Sequence, residues 1–337
     1  MENKSIEINL NGVTFNVICS NNDELKKVKY VFDKMFACDY NLTSDSDTIF
    51  NLYLRINSEQ YSEFNSRLLL EKSKFIKPNI YEYDYSNSKV YHHYSNFYVY
   101  SRDNNYYIVS NNKYAAYYVI LEIYNKICEM NSFYLFHGNG IKIDNTPISI
   151  IGNSHSGKTT LMSKLVQIEG ANKSFLSNDR ILVGNNKTLY FPIDINLDIN
   201  TVLHDECLSK KIDIKDKKIY VDPKTFVGYY PNLDYISHSN NYYFIIPKIN
   251  LLSKRYIEVT TMSNEEALKI LNYCCFSLED KECLREDWIM KSENRLILEK
   301  KVNKLLADII KRYKILLVEY GCDLQGEEIY EKIRKKN

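Results

Sequence analysis

The first 110 residues alternate between apolar and polar positions over short stretches, which predicts a strand-rich α/β domain. Ser5 to Ile18 alternates around Asn11-Gly12, a two-residue turn typical of a β-hairpin. Asp23 to Phe36 instead repeats apolar residues at helical spacing, and Thr48 to Ile56 alternates again. Asn79 to Val109 consists of short tyrosine-rich runs broken by turn residues, so we expect a meander of half-exposed strands there.

The pattern changes after residue 110, and longer apolar segments predict a second domain over residues 111–337. Tyr114 to Met130 carries apolar residues at helical spacing and predicts a long helix. Phe133 to Phe136 predicts a strand that ends at His137-Gly138, and Gly140 to Ile143 leads on to the isoleucine-rich run Ile148 to Ile151. We therefore expect two strands before that run, the first of which presents a histidine at its end.

In the rest of this domain, the pattern of apolar and polar residues predicts further strands and, towards the C-terminus, helices. The predicted strands are Ser174–Leu176, Ile181–Val183, Thr188–Phe191, Tyr242–Ile246, Tyr256–Val259 and Lys314–Glu319. The predicted helices are Thr160–Leu165, Asn264–Cys275 and one or two within Glu286–Tyr313. The expected fold class is α/β, with a strand-rich N-terminal domain over residues 1–110 and a helical C-terminal region.

Composition narrows the classes of function. Lys and Arg number 44 against 43 Asp and Glu, so no overall field favours nucleic acid or an anionic membrane as a partner. The eight cysteines form no C-x-x-C pair with a matching second pair, which argues against a zinc site. Adjacent His92-His93 would point to opposite faces of a strand, so we do not expect a metal there either.

The chain also lacks sequence signals for export or membrane insertion. No cleavable apolar segment follows the N-terminus, and no run reaches the roughly 18 apolar residues of a membrane span. Free thiols and a nucleotide-binding loop both fit the cytoplasm, which is the predicted location. A homo-oligomeric state is left open.

One stretch indicates phosphate binding. It has the pattern G-x-x-x-x-G-K-[ST] and lies between a predicted strand and a predicted helix. Gly152 and Gly157 give the backbone the freedom to aim successive N–H groups at phosphate oxygens. Lys158 adds a positive charge for the β and γ phosphates, and Thr159 adds an oxygen for Mg²⁺. We therefore predict that ATP or another nucleoside triphosphate binds to Gly152, Asn153, Ser154, His155, Ser156, Gly157, Lys158, Thr159 and Thr160.

Two titratable residues flank this loop at short range. His137 precedes Gly152 by 15 positions, and Asp179 follows Lys158 by 21 positions at the end of a predicted strand. In mononucleotide-binding sheets an acid at such a strand end reaches the metal or its water shell, so Thr159 and Asp179 are the predicted Mg²⁺ ligands. Arg180 is the predicted substrate-binding residue, with a surface ion pair as the alternative.

The stretches FHGNGIKID, ISIIGNSHSGKTTL and FLSNDR resemble the catalytic domain of the HPr kinase/phosphorylase family. They look especially like the divergent relatives associated with ribosomally made peptide products, such as the kinases of some lasso-peptide pathways. The resemblance covers roughly residues 114–200 and implies a P-loop kinase core. It implies that His137 orients the acceptor or the γ-phosphate, and that Asp179 binds the metal or accepts the acceptor's proton.

This sequence departs from the family in two places. The family's acidic pair appears as Asn178-Asp179, so a single carboxylate remains. The family's later glutamate-arginine-glycine signature is not recognisable after Phe191-Pro192, which puts recognition of the carrier protein HPr and the reverse phosphorolysis in doubt.

The predicted function is ATP- and Mg²⁺-dependent phosphoryl transfer to a hydroxyl, most simply a serine of a peptide or protein, with His137, Lys158 and Asp179 as catalytic residues. A nucleotide-driven ATPase or switch is one alternative, with Glu319 at the end of an apolar strand as its acid. A small-molecule kinase, a relative of the phosphoenolpyruvate carboxykinases, and a binding module without catalysis also stay open. His137 could instead be a structural histidine, and Asp179 a turn residue.

Overall fold

The computed structural model describes residues 4–36, 49–68, 73–77, 80–85, 88–93, 95–203, 205–212, 218–276, 289–290 and 295–336. Over these residues the chain is mixed α/β and forms two compact units, one mainly of residues up to Ile127 and the other mainly from Cys128 onwards. The predicted domains, 1–110 and 111–337, stay a prediction about separate folding and roles.

In the first unit the described strands form one mixed sheet in the order β1-β2-β3-β8-β7-β6-β5-β4. The elements are β1 Lys4–Leu10, β2 Val13–Cys19, α1 Asn22–Met35, β3 Ile49–Ile56, α2 Ser58–Leu68, β4 Ser73–Lys77, β5 Ile80–Tyr85, β6 Ser88–His93, β7 Phe97–Arg102, β8 Asn105–Ser110 and α3 Ala115–Met130. The predicted hairpin at Asn11-Gly12 is confirmed, and both turn residues have positive φ. Helix α2 was not predicted, because its sequence is polar apart from a few aromatic residues.

The second unit contains the glycine loop, the name used below for residues 152–159. Its strands are β9 Tyr134–Ile143, β10 Thr146–Ile151, β11 Lys173–Ser177, β12 Arg180–Val183, β13 Lys187–Leu189, β14 Ile195–Asp198, β15 Lys218–Val221, β16 Leu233–Tyr235, β17 His238–Asn240, β18 Tyr243–Asn250, β19 Ile257–Thr261 and β20 Ile315–Gly321. Its helices are α4 Lys158–Val166, α5 Ile199–Leu203, α6 Glu206–Ser209, α7 Pro223–Val227, α8 Asn264–Phe276, α9 Arg295–Arg312 and α10 Gly326–Arg334. Of the last predicted helical region, residues 286–288 and 291–294 lie outside the described residues.

Strand β10 runs through the middle of the main sheet, whose order is β17-β13-β12-β9-β10-β18-β20-β19. It pairs antiparallel with β9 and parallel with β18, and β18 is parallel to β20. The carboxyl ends of β10, β18 and β20 therefore meet at one edge of the sheet, where the glycine loop begins.

Both faces of this sheet are covered by helices. Apolar residues of α4 and α10 pack with Ile150, Ile245 and Leu316 on one face. Residues of α8 and α9 pack with Ile151 and Phe244 on the other. Because successive strand residues alternate between the faces, β10 is buried on both sides and its isoleucine-rich sequence is explained.

The predicted strand end at His137-Gly138 is wrong, since β9 continues without a break to Ile143. Glycines suit this strand because neighbouring atoms leave no space for a side chain. A Cβ at Gly138 would lie 2.8 Å from the carbonyl oxygen of Ile150, and one at Gly140 would lie 2.6 Å from a methyl carbon of Leu176. His137 thus lies within a long strand, where it pairs with Arg180 of the neighbouring strand β12.

None of the helices in the described ranges combines the length and the apolar character that crossing a membrane requires.

Candidate active site

The glycine loop closes tightly between β10 and α4. A Cβ at Gly152 would lie 2.6 Å from the hydroxyl oxygen of Ser156, so the two ends of the loop approach closely. Gly157 precedes α4 with φ 95°, and His155 has φ 63°, both in the left-handed region. Asn153, Ser154 and His155 are exposed.

The N-cap residue of helix α4 is Gly157, which has no side chain that could cap the helix. Within the described part of the chain, no side chain caps its first turn. The first N–H groups of a helix have no intrahelical acceptor, and the helix dipole makes that end positive. These groups are therefore available to an anion, and phosphate binds in this way at many helix N-termini.

Lys158 folds back onto the loop. Its side chain is buried, and Nζ donates to the carbonyl oxygen of Asn153 at 2.8 Å. Burial lowers the pKa of Lys158 to about 8, although the nearby carboxylate of Asp179 opposes this change. A buried ammonium held by one carbonyl has lost most of its hydration, so an arriving phosphate oxygen would be a favourable new partner.

His137, Asp179 and Arg180 form a connected group beside this lysine. The antiparallel pairing of β9 and β12 places Arg180 opposite His137. One carboxylate oxygen of Asp179, Oδ1, lies 2.9 Å from His137 Nε2, and the other, Oδ2, lies 2.9 Å from Arg180 Nη1. Arg180 also donates to the backbone carbonyl of Asp179 at 3.0 Å. The alternative of a surface ion pair does not describe Arg180, because its side chain is only 8% exposed.

These contacts fix the protonation of the group at neutral pH. Burial raises the pKa of Asp179, but the hydrogen bond from His137 and the positive charges of Arg180 and Lys158 outweigh it and hold that pKa well below its ordinary value. Burial lowers the pKa of His137, and the hydrogen bond to Asp179 opposes this without cancelling it. Asp179 is therefore ionised, while His137 is neutral and donates from Nε2.

The backbone at Asp179 is held in an unusual conformation. Asp179 has φ 59°, in the left-handed region that few residues other than glycine, Asn and Asp enter. Its N–H donates to Oδ1 of Asn139 at 2.9 Å, and its carbonyl oxygen accepts the N–H of Gly138 at 3.2 Å. Asn139 is fully buried on β9. It therefore positions Asp179 against His137, and the sequence carried no local signal for this role.

Thr159 lies next to Asn178. Its hydroxyl oxygen is 3.5 Å from Oδ1 of that amide, and Nδ2 of the same side chain has no hydrogen-bond partner among the described residues. Asn178 is 1% exposed. Of the two adjacent residues Asn178 and Asp179, the amide thus faces Thr159, while the carboxylate faces His137 and Arg180.

A magnesium ion fits this arrangement if it shares phosphate oxygens. The described residues contain no cluster of three or more His, Cys, Asp or Glu side chains that could enclose a metal. Mg²⁺ commonly takes one or two protein oxygens together with phosphate oxygens and water. The oxygens of Thr159 and Asn178 suit such a site, whereas each oxygen of Asp179 already accepts a hydrogen bond, from His137 or from Arg180. Its predicted metal role stays a prediction.

Two further residues contact the loop, and no local sequence pattern marks them. The hydroxyl of Tyr320, on β20, donates to the carbonyl oxygen of Gly157 at 2.8 Å. The thiol of Cys274, on α8, lies 3.5 Å from Oδ1 of Asn153. Both residues are far from the loop along the chain, so only the folded sheet brings them together. Thr160, the last predicted loop ligand, instead shares a hydrogen bond of 3.0 Å with Thr201.

Glu319, the acid that the ATPase alternative requires, is hydrogen-bonded to residues of β18 rather than to the glycine loop. Its carboxylate accepts hydrogen bonds from Lys248 at 2.8 Å and from Asn250 at 2.9 Å. Lys248 lies directly opposite it in the pairing of β18 and β20. The residue of β20 that reaches the glycine loop is Tyr320, on the opposite face of the strand from Glu319.

No protein-family model matches this chain, and a search of curated proteins finds no match either.

Proposed function

We propose that this protein is an ATP- and Mg²⁺-dependent cytoplasmic kinase of the HPr kinase type, which transfers a phosphoryl group to a serine hydroxyl of a peptide or protein. The observation that carries the proposal is the meeting of the glycine loop with the group of His137, Asp179 and Arg180. Asp179 acts electrostatically on Lys158, and it keeps a hydrogen-bonded, ionised carboxylate that is 34% exposed.

The loop side of the site supports nucleotide binding. The free N–H groups of α4 and the ammonium of Lys158 would hold the phosphates and stabilise charge on the transferring group. Mg²⁺, when bound near Thr159 and Asn178, would neutralise phosphate charge and align the β and γ oxygens. Arg180 is close enough to Asp179 to add positive charge on the same side.

The acid side of the site supports transfer to a hydroxyl. The acceptor oxygen forms a bond to the γ-phosphorus while the bond to the β,γ-bridging oxygen breaks and ADP leaves. The proton of the hydroxyl passes to the ionised carboxylate of Asp179, whose orientation is set by His137 and Arg180. His137, as a neutral donor to Oδ1, fixes the orientation of that carboxylate near Lys158.

An acceptor screen tests the proposal. Purified protein would be incubated with Mg²⁺ and ATP labelled in the γ-phosphate, together with a mixture of serine-containing peptides and a matched mixture with alanine in place of serine. We expect label as acid-stable phosphoserine in the first mixture alone. Rapid release of inorganic phosphate without any acceptor, lost in Glu319→Gln but kept in Asp179→Asn, would instead identify a nucleotide-driven ATPase.

A further inference from the structure

Strand β20 carries a tyrosine, Tyr320, whose hydroxyl contacts the glycine loop. Tyr320 is fully buried among residues of α4 and the sheet. It lies opposite Ile249 in the pairing of β18 and β20, at the edge of the sheet where the loop begins. Its hydroxyl is the polar atom that this strand directs at the loop.

The contact is specific to the last glycine of the loop. The carbonyl oxygen of Gly157 accepts the hydroxyl of Tyr320 at 2.8 Å and also the N–H of Leu161 at 2.8 Å, which closes the first turn of α4. A Cβ at Gly157 would lie 2.8 Å from the same hydroxyl and 3.2 Å from Cβ of Ile249. The phenol therefore occupies the space that the absent side chain leaves.

Fixing this carbonyl also fixes an N–H group. A peptide unit is planar and trans, so its C=O and N–H point in opposite directions. The C=O of Gly157 and the N–H of Lys158 belong to one peptide unit. Because Tyr320 and Leu161 hold the oxygen, the N–H of Lys158 is held away from them, as one of the free donors at the start of α4.

We infer that Tyr320 is a positioning residue for phosphate binding, which presets the Gly157–Lys158 peptide before a nucleotide arrives. This inference rests on the proposed nucleotide site. It goes beyond that site because it gives strand β20 a role in phosphate binding that depends on Tyr320 and not on the carboxylate of Glu319. Preorganised donors need no rearrangement when the anion binds, so losing the hydroxyl should weaken phosphate binding rather than abolish it.

Two Tyr→Phe variants test this role, since each removes one hydroxyl and keeps the ring. Tyr320→Phe is the test, and Tyr330→Phe is the matched control. Tyr330 is a buried tyrosine of α10 whose hydroxyl lies 3.5 Å from the carbonyl oxygen of Ile143, away from the loop. Calorimetric titration would measure the affinity for Mg-ATP and for inorganic tripolyphosphate, and a thermal melt would confirm that both variants fold.

We expect Tyr320→Phe to weaken both ligands by a similar factor, about fivefold or more, while Tyr330→Phe stays within about twofold of the wild type. Unchanged affinities in Tyr320→Phe would overturn the inference, and so would a loss confined to ATP, because tripolyphosphate has no base to contact. Wild-type protein that binds neither ligand would overturn both this role and the proposed function. Wild-type protein that binds both but phosphorylates no hydroxyl would contradict the proposed function alone.

Discussion

Replacing Lys158 by methionine should stabilise the unliganded protein, and under the proposed function it should also remove nucleotide binding. The substitution keeps most of the side chain's length and apolar surface but removes the buried ammonium. In the wild type Lys158 is 6% exposed, and within the described ranges its ammonium has one hydrogen bond, to the carbonyl oxygen of Asn153. A residue kept for binding at a cost in stability is typical of functional sites.

The size of the effect follows from the pKa of Lys158. Its fall from 10.5 to about 8 corresponds, at 1.36 kcal/mol per pKa unit, to a penalty of about 3 kcal/mol on the charged form in the folded protein. Losing the hydrogen bond to Asn153 costs about 1 kcal/mol. We therefore expect Lys158→Met to raise the free energy of unfolding by about 2 kcal/mol at pH 7.

The sign of the pH dependence is also fixed. Below about pH 8 both the folded and the unfolded protein hold the proton on Lys158, so the wild type carries the full penalty. Between about pH 8 and 10.5 the folded form releases it first, and the penalty shrinks. The advantage of Lys158→Met should therefore be largest at pH 7 and much smaller at pH 10.

Urea unfolding at pH 7 and pH 10 measures this, with Lys164→Met as the matched control. Lys164 lies on the same helix and is also buried, but its Nζ donates to two backbone carbonyls, of Cys322 and Leu324, at 2.8 Å each. Burial lowers the pKa of Lys164 as well, which offsets part of the loss, but its removal leaves both oxygens without that donor. Lys164→Met should therefore destabilise by about 1 to 2 kcal/mol. If Lys158→Met destabilises as much as Lys164→Met at pH 7, or if its effect does not change by pH 10, the reasoning is refuted.

Three further outcomes are expected. The kcat/KM for ATP should fall above about pH 8, because Lys158 of the protein without nucleotide loses its proton there. The kcat should persist to higher pH, because bound phosphate raises the pKa of Lys158. Initial rates measured from pH 6 to pH 10 check both expectations. Asn139→Leu should destabilise the fold by about 1 to 3 kcal/mol. It should also lower the pKa of His137, measured by NMR, because the hydrogen bond between His137 and Asp179 loosens. An unchanged pKa of His137 would contradict the positioning role of Asn139. Gly157→Ala should cost about 1 to 3 kcal/mol more than Gly170→Ala in thermal melts, since both sites have positive φ but the space at Gly170 is open.

Local chemistry explains why much of this unit could be predicted from the sequence. The strand, glycine loop and helix around Gly152 to Thr159 are contiguous, so the pattern contains the whole element. The strands β12 and β13 and the helix α8 also follow from short-range patterns, and their existence is confirmed. The resemblance placed His137 and Asp179 near the loop, and the structure brings them within 2.9 Å of each other.

The features that could not be predicted from the sequence depend on contacts between distant segments of the chain. Gly138 suggested a strand end because glycine usually interrupts a strand, yet here the closeness of β10 requires it. Asn139 and Tyr320 are 40 and 163 positions from the residues that they hold, so no local pattern marks them. The division of roles between Asn178 and Asp179 was equally hidden, because it depends on which way two adjacent side chains turn.

The most direct test of the proposed kinase function is the rate of phosphoryl transfer to a serine peptide in Asp179→Asn and Glu319→Gln, two acid-to-amide changes in the same unit. Asp179 is bound to His137 and Arg180 beside the glycine loop, and Glu319 is bound to Lys248 and Asn250. We predict that Asp179→Asn lowers the rate about 100-fold or more, and that Glu319→Gln stays within about threefold of the wild type. A large loss in Glu319→Gln with normal transfer in Asp179→Asn would contradict the account.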